Sequence, residues 1–375
     1  MRITYILTSL GIGGAERQVL WLARRMVRAG HTVRLLVLVP CGPDDLLAES
    51  PREPDSEPLD VVYLGIRKRP WSAMHGLTRG ADAIRQFRPD LIHAHNFHGN
   101  LAGRLLGQLC GKIPVISTIH NVYEGGRLRM MSYRFTDPLS RLTIAVSTAA
   151  CERYTRLRAI SAKKAGVVVN GIETDHFQPS IQQRNAMRTT MGVIESDFVW
   201  IAVGRLAPAK DYPNLLRAFA ALQLEQQATC IWIVGAGEPS CTIELQSLAH
   251  GLGIEDKIRW LGSRQDIAAL LDAADAFVLA SAWEGMPLAL GEAMAMAKPV
   301  VATDVGGVRE MIGDNGSLVP AGNSGVLAET MNRMMALSNK DRHQIGNAAR
   351  TRILTQFSME AKTREWQEIY RSVLR

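Results

Sequence analysis

Phe198-Val199-Trp200-Ile201-Ala202-Val203-Gly204-Arg205-Leu206 is the stretch on which the fold turns. Its first six residues are apolar, β-branched or aromatic, the pattern of a strand buried on both faces. Gly204 ends the run, and a helix is expected from 212 to 226. The chain opens in the same way. Residues 2–8 read as a strand, Gly11-Ile12-Gly13-Gly14 as a turn, and 14–29 as a helix closed by Gly30. A pattern that begins at residue 2 therefore begins again at residue 198.

The same alternation extends outward from both openings. In the first half, strands fit 32–39, 60–64, 90–95, 114–119, 142–146 and 166–169, with helices at 73–87, 99–110 and 147–158. Residues 42–58 are rich in Pro, Asp and Glu and read as a loop. In the second half, strands fit 229–234, 257–261, 275–279, 299–302 and 317–319, with helices at 240–250, 265–272 and 288–296. Three helical segments follow from about 324, and a polar link is expected over 174–196. Strands alternating with helices imply parallel sheets. The expectation is α/β: two Rossmann-like doubly wound domains facing each other across a cleft, 1–175 and 176–357.

A chain of 375 residues is long enough for two cores, and 47% hydrophobic with 21% charged residues is an ordinary globular composition. No apolar run reaches the roughly 18 residues needed to span a bilayer. Met1-Arg2-Ile3-Thr4-Tyr5 runs straight into a strand and carries no signal-peptide pattern, and the five cysteines are scattered, so a cytoplasmic protein is expected. The net charge of +7 is uneven: residues 1–190 hold 26 Lys and Arg against 15 Asp and Glu, the remainder 17 against 21. A basic half seeks an anionic partner. With aromatics at 6% and no recognition motif, nucleic acid is not the expected one. An anionic membrane surface or a diphosphate-bearing lipid fits better. Arg67-Lys68-Arg69-Pro70-Trp71 and the stretch 127–135 mix cations with large apolar residues, as interfacial segments do.

Four motifs carry chemistry. The loop Glu284-Gly285-Met286-Pro287-Leu288 leads into a helix that bears Glu292, so two carboxylates flank backbone amides suited to an anion. A phosphate with hydroxyls on either side describes a nucleotide sugar. Arg205 and Lys210 lie on one short loop after a strand, where two cations can neutralise a departing diphosphate without a metal; no D-x-D motif occurs. Gly13 and Gly14 can approach phosphate, but Glu16 stands where a dinucleotide fingerprint needs its third glycine. His93, His95 and Asn96 are candidates for the acceptor side of the cleft, and His120 ends a strand where an imidazole can bond a sugar hydroxyl. A metal at His93, His95 and His98 is the weaker reading, because no carboxylate or thiolate completes the set.

Taken together, Gly13-Gly14-Ala15-Glu16-Arg17, Gly204-Arg205-Leu206 with Lys210, and the E-x7-E element from Glu284 to Glu292 resemble retaining glycosyltransferase family 4, of the GT-B fold, which includes bacterial polysaccharide and lipid-linked glycan synthases. The resemblance implies that Arg205 and Lys210 hold the diphosphate, Glu284 binds sugar hydroxyls and Glu292 the ribose. It also implies that Gly285, Met286, Pro287 and Leu288 line phosphate and sugar, and that His120 meets the sugar. Gly13, Gly14 and Gly204 would approach the phosphates, Gly262 would lie near the base, and a final helix at about 358–375 would pack back on the first domain. No cofactor or metal is implied. The partners implied are a nucleotide sugar, with UDP favoured, and a glycan or polyprenyl-diphosphate-linked acceptor at the inner face of the cytoplasmic membrane. Pro287, Gly291 and Ala297 depart from the family's usual residues, none at a reacting atom. A sugar-nucleotide epimerase of the same fold and a non-catalytic binding protein are the alternatives.

Overall fold

The computed structural model describes residues 1–11, 13–40, 58–67, 70–222 and 229–375. The expected 42–58 loop lies almost wholly outside the described residues, as do Ile12, Lys68 and Arg69. The chain divides into two compact units, Met1–Gly171 with Met359–Arg375, and Ile172–Ser358.

In unit 1, seven parallel strands stand in the order β3-β2-β1-β4-β5-β6-β7. They are β1 (Arg2–Leu7), β2 (Thr32–Val37), β3 (Asp60–Tyr63), β4 (Leu91–His95), β5 (Val115–Ile119), β6 (Leu142–Ala145) and β7 (Ala165–Val167). The helices are α1 (Gly14–Arg28), α2 (Pro70–Phe87), α3 (Asn96–Leu109), α4 (Arg127–Thr136) and α5 (Thr148–Arg156). Every residue of β4 and β5 is buried, as expected of central strands covered on both faces. Strand order reverses between β1 and β4, so the loops after those strands flank a topological switch point.

Unit 2 repeats the plan with six parallel strands in the order β10-β9-β8-β11-β12-β13. They are β8 (Phe198–Val203), β9 (Thr229–Val234), β10 (Ile258–Gly262), β11 (Ala276–Leu279), β12 (Val300–Thr303) and β13 (Ser317–Val319). Between them run α6 (Ile181–Thr190), α7 (Tyr212–Ala220), α8 (Pro239–Gly251), α9 (Ile267–Ala273), α10 (Leu288–Ala295) and α11 (Val308–Ile312). Helices α12 (Ser324–Ala336) and α13 (Asn339–Arg352) follow the last strand. Trp200 and Phe198 of β8 are buried in a core shared with Leu215, Leu216 and Phe219 of α7. Burying each such side chain contributes about 2–3 kcal/mol.

Two elements differ from the sequence reading. The polar link at 174–196 contains α6, whose inward side is arginine instead of an apolar stripe. Arg184 and Arg188 both donate to Asp275, at 2.6 and 3.1 Å, and Ser180 caps the helix by accepting from Gln183 N–H. A helix held by ion pairs lacks the apolar period by which sequence reading finds helices. The basic stretch 127–135 forms most of α4, with Tyr133 turned inward and Leu128, Met131 and Phe135 exposed.

The last helix, α14 (Met359–Leu374), belongs to unit 1. Trp366, Tyr370 and Val373 enter the core of β1 and α1. Its Tyr370 hydroxyl bonds Tyr5 Oη at 3.0 Å and His93 Nδ1 at 2.7 Å.

Candidate active site

In unit 2 the switch point falls between β8 and β11. The loop after β8 carries Gly204, Arg205 and Lys210, and the loop after β11 carries Ser281 to Pro287. Adjacent parallel strands deliver both loops to one edge of the sheet, and the loops are tied together. Ala282 N–H donates to Ala209 O at 2.9 Å. The Lys210 ammonium lies 2.5 Å from Glu284 Oε1, and Ser281 Oγ donates to the same oxygen at 2.6 Å. Charge-assisted bonds of this length fix the carboxylate firmly. Thr303, at the end of β12, donates to Ser281 O at 2.6 Å and holds that turn from the next strand. Arg205 is exposed.

Backbone crowding makes the loops specific. Gly306 has φ +55, and a Cβ there would fall 2.0 Å from Glu284 O. Gly235 has φ +139, and its Cβ would fall 2.0 Å from Gly204 O. Both positions therefore exclude side chains. Gly262, exposed at the end of β10, accepts from Gly235 N–H at 2.7 Å. Gly285, Met286, Pro287 and Leu288 are buried at the start of α10. The two glutamates separate in environment: Glu284 keeps 9% of its surface exposed, and Glu292 none.

Ser281, Thr303, Gly235 and Gly306 were absent from the sequence reading. Their signal is weak, because a Ser three residues before a Glu, or a lone Gly after a strand, recurs throughout any α/β chain.

In unit 1, Gly13 and Gly14 sit at the start of α1, and the Glu16 carboxylate lies where a Cβ on Gly13 would stand. The histidines divide. His93 is fully buried with both ring nitrogens bonded, Nδ1 to Tyr370 and Nε2 to Thr118 Oγ1 at 2.7 Å. It is a hub that joins α14 to the sheet, which corrects the expectation that it lines an acceptor site. The same two bonds occupy the nitrogens it would need as a metal ligand. His95 is 2% exposed and bonds His120 Nε2 through its Nδ1 at 3.1 Å. Asn96, half-buried, opens α3 with φ +61. Burial holds the His120 imidazole at about 4 and His95 well below the usual range, so both rings are neutral at ordinary pH.

Glu124, just past His120, is a residue the sequence reading passed over. Its Oε2 accepts from Tyr133 Oη at 2.7 Å, and its backbone oxygen accepts from Arg129 at 2.7 Å. Burial pushes the carboxyl up to about 7, against bonds from Tyr133 and the His120 backbone N–H that pull it down. The unfolded carboxyl titrates near 4.5. Between those values the folded chain keeps a proton that the unfolded chain has lost. Stability from this group is therefore whole below the window and falls as pH rises through it. Glu124→Gln is expected to flatten that slope and to stabilise the chain at high pH by roughly 2 kcal/mol. Urea unfolding of both proteins below and above the window checks it; parallel slopes would contradict it.

Comparison with known proteins places this geometry. The family described as Glycosyltransferase Family 4 matches residues 12–176, and Glycosyl transferases group 1 matches 183–352. The chain is similar to the UDP-Gal:alpha-D-GlcNAc-diphosphoundecaprenol alpha-1,3-galactosyltransferase of Escherichia coli, 26% identical over 234 residues, 60% of each protein. It is also similar to the N-acetyl-alpha-D-glucosaminyl L-malate synthase of Bacillus anthracis, 29% identical over 308 residues, 79% of this chain and 78% of that one. Among solved structures, Anabaena Alr3699/HepE in complex with UDP and glucose shares the fold with TM-score 0.88 at 22% identity, over 99% of this chain and 100% of that one. Two family models matched in order along two Rossmann-like units, with the Gly204–Lys210 and Glu284–Glu292 loops joined at one sheet edge, make this chain a glycosyltransferase of family 4, with the GT-B type of fold.

Proposed function

We propose that the protein transfers a hexose or N-acetylhexosamine from a UDP-sugar to a glycan or polyprenyl-diphosphate-linked acceptor in bacterial cell-surface polysaccharide biosynthesis. Transfer proceeds with retention at the anomeric carbon and without a metal ion. The observation that carries the reading is the 2.5 Å contact of Lys210 with Glu284, since it joins a cation suited to diphosphate to a carboxylate suited to sugar hydroxyls. Arg205 and Lys210 stabilise the charge that develops on the departing diphosphate. Glu284 orients the sugar, the amides of Gly285, Met286 and Leu288 bond phosphate and sugar, and Glu292 binds the ribose hydroxyls. Gly13, Gly14 and Gly204 give the phosphates close approach, and Gly262 borders the base. His120 offers its neutral ring to a sugar hydroxyl. A phosphate oxygen of the donor takes the acceptor's proton on the face the leaving group vacates.

The exposed face of α4 supports work at the inner surface of the cytoplasmic membrane. Leu128 and Phe135 are 80% and 73% exposed, Arg127 and Arg134 are exposed beside them, and α4 contains no acidic residue. No helix of the described residues is long and apolar enough to cross a membrane.

One experiment tests the whole reading. A thermal-shift screen against UDP-, GDP- and ADP-sugars identifies the donor by mass action. Turnover is then followed by NMR of the anomeric proton, in EDTA, with a lipid-linked acceptor in anionic vesicles. An α-linked product from an α-linked donor is expected, with the protein cosedimenting with the vesicles. An inverted product, strict metal dependence or an epimerised donor formed without acceptor would each overturn its part.

A further inference from the structure

His95 ends β4, His120 directly follows the neighbouring parallel strand β5, and the two are bonded to each other, His95 Nδ1 to His120 Nε2 at 3.1 Å. A neutral imidazole carries one N–H, so the bond between the rings contains a single proton. If His95 supplies it, His120 carries its own N–H on Nδ1, and His95 Nε2 is a bare acceptor. If His120 supplies it, the roles reverse. In either arrangement the two remaining nitrogens, His95 Nε2 and His120 Nδ1, are one donor and one acceptor. Both are buried and have no protein partner among the described residues. His93, two positions away on the same face of β4, is the contrast, since Tyr370 and Thr118 occupy both its nitrogens. The His95 ring is held in plane by Tyr5, stacked at 5.8 Å and 25°.

We propose that His95 is a positioning residue that fixes the ring orientation of His120 and couples its tautomer to its own, so that a sugar hydroxyl bonded at His120 is read by the two imidazoles as a coupled pair. A hydroxyl both donates and accepts, and so matches either proton arrangement. A carboxylate or phosphate oxygen only accepts, and it would meet an uncharged site. The pair therefore favours neutral sugars over uronic acids. The proposal rests on the reading that His120 meets substrate, but the pairing itself can be tested apart from turnover.

The test is long-range 1H–15N spectroscopy of the full-length, histidine-labelled protein, joined to steady-state kinetics with the UDP-sugar found in the screen. Wild type is expected to show matched tautomers at the two rings, both Nδ1–H or both Nε2–H, because they share one proton. His95→Phe should leave His120 Nε2 unbonded, change the His120 tautomer population and lower kcat by ~10-fold or more, with KM for the nucleotide sugar nearly unchanged. His95→Asn puts an amide, which can donate or accept, in the place of Nδ1 and should restore a bonded His120 Nε2 in the spectrum and most of kcat. His93→Phe should lower Tm and leave the His120 spectrum as in wild type. Tautomer populations that differ between His95 and His120 in wild type, or a His120 spectrum and kcat indifferent to His95→Phe, would overturn the proposal. Should His95→Phe fail to fold, the wild-type and His95→Asn spectra decide it. Absence of turnover with every nucleotide sugar sinks the function reading, while the spectra still decide the pairing.

Discussion

Lys210→Ala and Glu284→Ala are each expected to lower kcat by ~10²-fold or more, and the double variant by little more than either alone. Non-additivity follows from the geometry. The two side chains form one ion pair at 2.5 Å, so removing either abolishes the same contact. The lysine variant also strands a nearly buried carboxylate beside the Ser281 hydroxyl, and the alanine at 284 frees the ammonium to swing away. Arg205 is exposed on the same loop, and Arg205→Ala should lower kcat by a similar factor but combine additively with the others. Single- and double-variant kinetics check all of this, with circular dichroism to establish that each variant is folded. Near wild-type rates in the three single variants would refute the roles given to this loop pair.

The second large effect is on stability. Asp275→Ala is expected to cost ~3 kcal/mol or more. Its carboxylate accepts from Arg184 and Arg188 of α6 and from Val199 N–H of β8 at 2.8 Å. All three side chains are mostly buried, so solvent screens them little, and the alanine would leave two guanidinium groups facing a gap. Arg184 and Arg188 also bond backbone oxygens at the end of α9, which keeps the loss at the lower end of the range for broken buried pairs. Isothermal urea unfolding measures it. A loss below ~1 kcal/mol, that of an exposed pair, would contradict the role assigned to this node.

The node also marks where sequence reading stopped. A strand buried on both faces announces itself locally, as in Phe198 to Val203, because every residue must be apolar. The tandem α/β plan was therefore legible, and so were Lys210 and Glu284 as charged residues beside strand ends. α6 was not legible, because what holds it is an aspartate 87 and 91 positions away, and no local period records that. The contact of Lys210 with Glu284 spans 74 residues and exists because β8 and β11 are neighbours in the sheet.

His93 and His95 show the same division within three residues. Alternation put both on one face of β4, which the sequence alone determines. Their difference comes from distant chain: a tyrosine 277 residues later in α14 takes the free nitrogen of His93, and the end of β5 brings His120 to His95. Sequence by itself determined the strands, the helices with apolar stripes and the residue types at the strand ends. Only the tertiary structure decided which of those residues meet, because strand order and the return of the last helix set distances that local patterns do not encode.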